Sequence, residues 1–287
     1  MWTTEVFETA RGTVPALVAG DGEPLVCWHG FPDLPHTFAP LAERLPGRRL
    51  IAPYQRGFHP DHPPAQAYFD AGTLAADAKA LLDAVSPDAP VDVVGHDWGA
   101  AAVYGLVTAF PDRVSRAVTM ALPPTPALLG VVTQPAQMRK SFYIWFFQMA
   151  GLPEQVLNTA NGGALLDFFW ATWSPGAADA PHVAQVREAL AHPGVVEAAL
   201  GYYRALFQPA FADPELGDVR GKAFAPAGVP VLLLGGDQDG CIDADILRAG
   251  GEWLPDGRVE ILEGTGHFLH LEEPDRVASL IQEWLGS

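Results

Sequence analysis

Two hydrophobic periods alternate along the chain. From Thr4 to Ala10 and from Thr13 to Val18 the side chains change character every second residue, which predicts two strands folding back on each other at Arg11-Gly12. Short, nearly unbroken apolar runs follow at Pro24 to Trp28, Arg49 to Ala52, Val91 to Val94, Val114 to Ala121, Val229 to Leu234 and Arg258 to Leu262, as in strands buried on both faces. Between these runs the apolar positions recur at helical spacing. They do so in Phe38 to Leu45, at Leu74, Ala78, Leu81 and Leu82 within Ala71 to Val85, from Gly99 to Phe110, and at Val277, Leu280, Ile281 and Trp284 within Pro274 to Leu285. Strand alternating with helix predicts an α/β fold: an eight-stranded, mostly parallel sheet with helices on both faces.

The alternation stops at Pro123-Pro124-Thr125-Pro126 and resumes only at Val229. The stretch between is helical in pattern and rich in aromatic residues, so residues 1–123 and 229–287 are expected to form the core and residues 124–228 a helical cap inserted into it. Most of the cap's aromatic side chains must pack its own small core. Some are expected to line an apolar pocket against the sheet.

The chemistry concentrates at Gly95-His96-Asp97-Trp98-Gly99, where a strand meets a helix through a turn flanked by glycines. That spacing is the strand, sharp turn, helix arrangement that pushes one side chain out above a sheet. Here the side chain is a carboxylate. A serine attacking a saturated carbon would leave an inert ether, whereas Asp97 would leave an ester that water can cleave. With an ordinary pKa of about 3.9, an aspartate also needs no base to become nucleophilic. An electrophilic sp3 carbon, as in an epoxide or an alkyl halide, is the expected target.

Composition narrows the partners. With 17 Lys and Arg against 34 Asp and Glu, the formal charge of -17 argues against nucleic acid and anionic membrane surfaces. A small apolar substrate fits better. No apolar run is long enough to span a bilayer and the start carries no basic leader, so a cytoplasmic location is the expectation. Cys27 and Cys241 are the two cysteines, and a disulfide framework is not expected from them. A homodimer is compatible with the sequence and not implied by it.

In chain order come Asp97, then a carboxylate at Asp237 or Asp239, then His267 behind Gly264-Thr265-Gly266, each following a strand. This is the nucleophile, acid, histidine order of α/β-hydrolases. His29-Gly30-Phe31-Pro32, Gly95-His96-Asp97-Trp98-Gly99-Ala100, and Gly266-His267 with Glu272 and Pro274 closely resemble the epoxide hydrolase branch of that family. The likeness covers nearly the whole chain and is weakest in the cap.

The resemblance implies that His267, oriented by Asp239 rather than Asp237, activates water. It also implies that Tyr143 and Tyr203 donate hydrogen bonds to the epoxide oxygen, and that the backbone N–H groups of Phe31 and Trp98 form the oxyanion hole. Phe31, Trp98, Trp145 and Phe146 are expected to line the substrate site. The reaction so implied needs neither cofactor nor metal. Haloalkane and fluoroacetate dehalogenases share much of the pattern, but the former typically carry asparagine where Phe31 stands and the latter arginine where Trp98 stands. A non-catalytic binding module on the same fold would be expected to lack part of this machinery. The other histidines are read as structural or solvated: His29 bonded to its own loop, His96 turned toward the sheet, and His36, His59, His62, His182 and His192 facing water.

Overall fold

The computed structural model describes residues 2–178 and 180–286. Its centre is one eight-stranded sheet: β1 (Thr3–Thr9), β2 (Gly12–Ala19), β3 (Glu23–Trp28), β4 (Arg48–Pro53), β5 (Val91–His96), β6 (Val114–Met120), β7 (Val231–Gly236) and β8 (Arg258–Leu262). The spatial order is β1-β2-β4-β3-β5-β6-β7-β8. Only β2 runs against its neighbours β1 and β4, and every pairing from β4 to β8 is parallel. The first hairpin turns where expected, with Thr9 opposite Gly12, whose φ of 116° suits a residue without a Cβ.

Strand pleating divides each apolar run between two cores. Val26, Trp28, Val91, Val93, Val231 and Leu233 face one, beneath the helices Ala71–Val85 and Trp98–Ala109. Leu25, Cys27, Val94, Leu232 and Leu234 face the other, which Val277 and Ile281 of the last helix, Pro274–Gly286, close. The apolar runs are therefore unbroken because water reaches neither face of these strands. One predicted helix is shorter than the pattern suggested: where Phe38 to Leu45 was expected, the chain makes a 3-10 turn, Pro35–Phe38, and then a single helical turn, Ala39–Ala42, with Pro40, which has no N–H to continue the preceding turn, at its start.

Between β6 and β7 the described residues form helices and no strand. The longest of these are Ala164–Trp173 and Pro193–Arg204, which lie over the carboxyl ends of the central strands. Among the described residues no helix is long and apolar enough to cross a membrane.

Candidate active site

Asp97 follows β5 directly, at φ 51° and ψ -119°, a backbone conformation that L-residues rarely adopt. Its N–H donates to the carbonyl of Met120 in β6, and its own carbonyl accepts from the Ala101 N–H, which starts the helix. The two flanking glycines are required by contact. A Cβ on Gly95 would stand 2.3 Å from the Gly99 carbonyl oxygen, and one on Gly99 would stand 2.0 Å from the Trp28 carbonyl oxygen. Both obstacles are main chain and cannot step aside. Gly99→Ala is thus expected to lower stability by about 3 kcal/mol or more, read as a drop in urea midpoint at unchanged slope.

The bend presents the carboxylate to two different partners. Oδ1 accepts the Phe31 N–H at 2.7 Å, and the Trp98 N–H also bonds the carboxylate. Phe31 sits in the loop after β3, where the Phe31-Pro32 peptide is cis. Oδ2 lies 3.8 Å from Nε2 of His267. Burial raises the Asp97 pKa above its ordinary value, against the pull of His267 and the two N–H groups.

His267 stands behind β8, fully buried, with Nδ1 2.9 Å from Asp239 Oδ2. The other Asp239 oxygen accepts the N–H groups of Cys241 at 2.6 Å and Ile242 at 2.9 Å, which fixes the carboxylate plane. Burial alone would depress the imidazole; Asp239 and then Asp97 outweigh it, and the pKa of His267 is raised. Its Nε2 is buried without a hydrogen-bond partner and faces Asp97. Asp237 lies elsewhere: exposed, it caps the Gly264 N–H at 2.7 Å.

An aromatic roof covers the carboxylate. Tyr143 and Tyr203 are buried with ring centres 5.4 Å apart, and both phenols feel the Asp97 charge. Burial, more than that charge, raises both well above the ordinary tyrosine range, so both hydroxyls keep their protons. The Tyr203 hydroxyl also bonds the Trp98 side chain, while the Tyr143 hydroxyl lies 3.2 Å from Cys241 Sγ. Phe31 packs edge-on against Tyr203, Phe147, Phe169 and Trp173. The neighbouring Tyr202 points away and donates to the Arg56 carbonyl.

Two expected pocket residues are placed differently. Trp145 is partly exposed and stacks on Phe207, and Phe146, half-buried, has its ring contact with Phe147. The reason is helical phase: on the turn Phe142–Phe146, Tyr143 and Phe147 share the inner face, so Trp145 points the other way. Phe147, Phe169 and Trp173 take their place, with Phe169 and Trp173 also four residues apart on one helix. A cavity of about 430 Å³ lies off this site near Arg11, Tyr54, Arg56, His62 and Asp77 and is not lined by Asp97, Asp239 or His267.

The segment between β6 and β7 is tied by main chain to the loops that carry Asp239 and His267. The Trp173 carbonyl accepts the His267 N–H at 2.9 Å and the Gly240 N–H at 3.4 Å, and Ser174 Oγ accepts the Phe268 N–H at 2.8 Å while donating to Glu272. His182, read from sequence as solvated, is buried: it comes from the cap and bonds Asp33 Oδ1 at 2.8 Å. The acid partner, 149 residues away, is what allows an imidazole to leave water there. His29 bonds its own loop, as expected, through the Gly30 carbonyl, and its Nε2 also accepts the Gln55 N–H from the loop after β4.

Asp33 also adjoins the buried His96 and His270. Burial pushes His270 down to about 3 and His96 well below the usual imidazole range, so both rings are neutral. Burial raises Asp33 in turn, but His182 and a Thr37 hydrogen bond prevail and hold its carboxyl below the ordinary value.

The profile of the alpha/beta hydrolase fold matches residues 23–274, and the chain belongs to that family. Among its curated relatives are the AB hydrolase superfamily protein YfhM of Bacillus subtilis, 28% identical over 92% of this chain and 91% of that one, and epoxide hydrolase A of Mycobacterium tuberculosis, 27% identical over 99% and 97%. The crystallised epoxide hydrolase CorEH superposes with a TM-score of 0.83 at 22% identity, over 100% of this chain and 99% of that one, and shares its fold.

Proposed function

We propose that the protein is an epoxide hydrolase, converting a small apolar epoxide and water into a vicinal diol. The observation that carries this reading is the division of labour at Asp97: Oδ1 is held at 2.7 Å by the Phe31 N–H, while Oδ2 is left facing His267 beneath two protonated tyrosines. Oδ2 attacks an epoxide carbon, the ring C–O bond breaks, and a tyrosine hydroxyl passes its proton to the departing oxygen. The product of this step is an alkyl ester on Asp97.

His267 Nε2 then takes a proton from water, whose oxygen adds to the Asp97 acyl carbon. Negative charge develops on Oδ1, already in place against the Phe31 and Trp98 N–H groups. Collapse breaks the bond from the acyl carbon to Oδ2, that oxygen takes the proton held by His267 and leaves in the diol, and the remaining acyl hydroxyl proton returns to the tyrosinate, which restores the carboxylate, the neutral imidazole and the phenol. Forming the ester also removes the Asp97 charge that helps raise His267, so burial favours the neutral base at the moment it is needed.

A dehalogenase needs donors for a leaving halide, and Phe31 has no side-chain donor. Assaying diol from styrene oxide beside halide from haloacids tests the choice; halide without diol overturns the proposal. Tyr143→Phe and Tyr203→Phe should each slow ester formation by about a hundredfold while sparing ester breakdown. Rapid-quench kinetics separates the two steps.

A further inference from the structure

We propose that Cys241 is a positioning residue for ring opening: its S–H donates to the Tyr143 oxygen as the proton of that hydroxyl turns to the epoxide. The thiol sulfur lies 3.2 Å from the hydroxyl, 98 positions away in sequence, and is its hydrogen-bond partner among the described residues. Both groups are buried, under the roof that Phe169, Trp173 and Tyr203 pack around the Tyr143 ring. The inference rests on the epoxide reading of the site and adds to it a residue that acts through Tyr143.

Contacts on both sides fix where the sulfur stands. The Cys241 N–H donates to Asp239 Oδ1 at 2.6 Å, and the Cys241 carbonyl accepts from Gln137 Nε2 at 2.8 Å. Gln137 Oε1 in turn accepts the Asp243 N–H at 3.2 Å, and Lys140 Nζ donates to the Asp239 carbonyl at 2.8 Å. Gln137 and Lys140 belong to the helix Pro135–Lys140, which leads directly into the turn Phe142–Phe146 that carries Tyr143. The segment bearing the phenol and the loop bearing the thiol are therefore clamped together, and they cannot drift apart without breaking these bonds.

Proton placement gives the contact its direction. Burial, with the Asp239 and Asp97 charges adding to it, raises the thiol well above its ordinary range, and burial raises Tyr143 likewise, so each group keeps its proton. At rest either atom can donate, and sulfur is a weak acceptor that holds the hydroxyl loosely. Once the Tyr143 proton passes to the epoxide oxygen as the ring C–O bond breaks, the phenol oxygen is an acceptor with a protonated thiol beside it. The S–H then turns to that oxygen. Its proton stays on sulfur, so no thiolate forms and the tyrosinate waits for its own proton to return. In a buried site a phenolate left without a donor is costly. Tyr203 is matched in the same way by the Trp98 side chain, whose indole N–H can only donate. A buried cysteine that merely fills space would need no such partner.

The test measures ester formation and ester breakdown separately, by rapid quench with styrene oxide, in the full chain as wild type, Cys241→Val, Cys241→Ala and Cys241→Ser. Each substitution keeps the N–H and carbonyl that bind Asp239 and Gln137. The Val and Ala variants should form the ester about tenfold more slowly and break it down within about twofold of wild type, whereas Ser restores a donor and should stay within about threefold in both steps. In a Tyr143→Phe background Cys241→Val should have no further effect, since no oxygen remains to receive the S–H. The Ala variant serves should Val not fold, as judged by circular dichroism. Wild-type ester formation in a folded Val or Ala protein, the same loss in Ser as in Ala, or a full tenfold loss on top of Tyr143→Phe overturns the inference and leaves the epoxide reading standing. A wild-type protein that forms no ester with the epoxide removes that reading, and this inference with it.

Discussion

His267→Gln is expected to stop the enzyme halfway, with substrate covalently attached to Asp97. In the proposed mechanism ring opening draws on Oδ2 of Asp97 and the two tyrosine hydroxyls, none of which depends on a base, so alkylation should proceed. In the proposed scheme ester hydrolysis then loses, among the described residues, the one unpartnered basic nitrogen facing Asp97, and turnover should fall by about a thousandfold or more. Intact-mass measurement after epoxide addition should find the protein heavier by the mass of one substrate, and peptide mapping should place the gain on Asp97. An unmodified protein would remove the covalent scheme. In the proposed mechanism the same nitrogen sets the acid side of the pH profile: hydrolysis needs neutral His267, so it should decline as pH falls, and because the ester lacks the Asp97 charge that helps raise the imidazole, the decline should come at a lower pH than the one at which the free enzyme's His267 titrates.

Asp97→Ala should abolish turnover altogether, by at least about ten-thousandfold, without accumulating an adduct. The two substitutions act on successive bonds, so the double variant should behave as Asp97→Ala alone. Folding is a real concern at φ 51°, where alanine fits no better than aspartate and loses the hydrogen bond to Phe31. Circular dichroism and the urea midpoint must therefore accompany the kinetics. A folded Asp97→Ala protein that still releases diol would show that the nucleophile is water or another side chain.

How legible the molecule was depended on the range of each signal. The sheet could be read because strand pleating and two-sided burial write themselves into consecutive residues, and the bend at Asp97 because two glycines bracket it within five positions. The choice between Asp237 and Asp239 turned on two residues, and the geometry brings Asp239 to the imidazole. The cap resisted for a physical reason. A helix of five residues has too few turns to show its buried face, so Trp145 and Phe146 were expected inside, whereas contacts with other helices turn Tyr143 and Phe147 inward. His182 was harder still, since nothing near it in sequence reveals that Asp33 will be its partner. Partnerships made across long separations leave no local pattern to read.

The carbonyl of Trp173 constrains how substrate can get in. Because it bonds the main chain of both the histidine loop and the acid loop, lifting the cap as a rigid lid would pull the base apart each time the door opened. Access that keeps these bonds would use rotation of rings such as Phe147 and Phe169, which pack edge-on against Phe31. Reshaping the doorway for bulkier molecules therefore means trimming those side chains while leaving the hinge backbone at Trp173 and Ser174 alone.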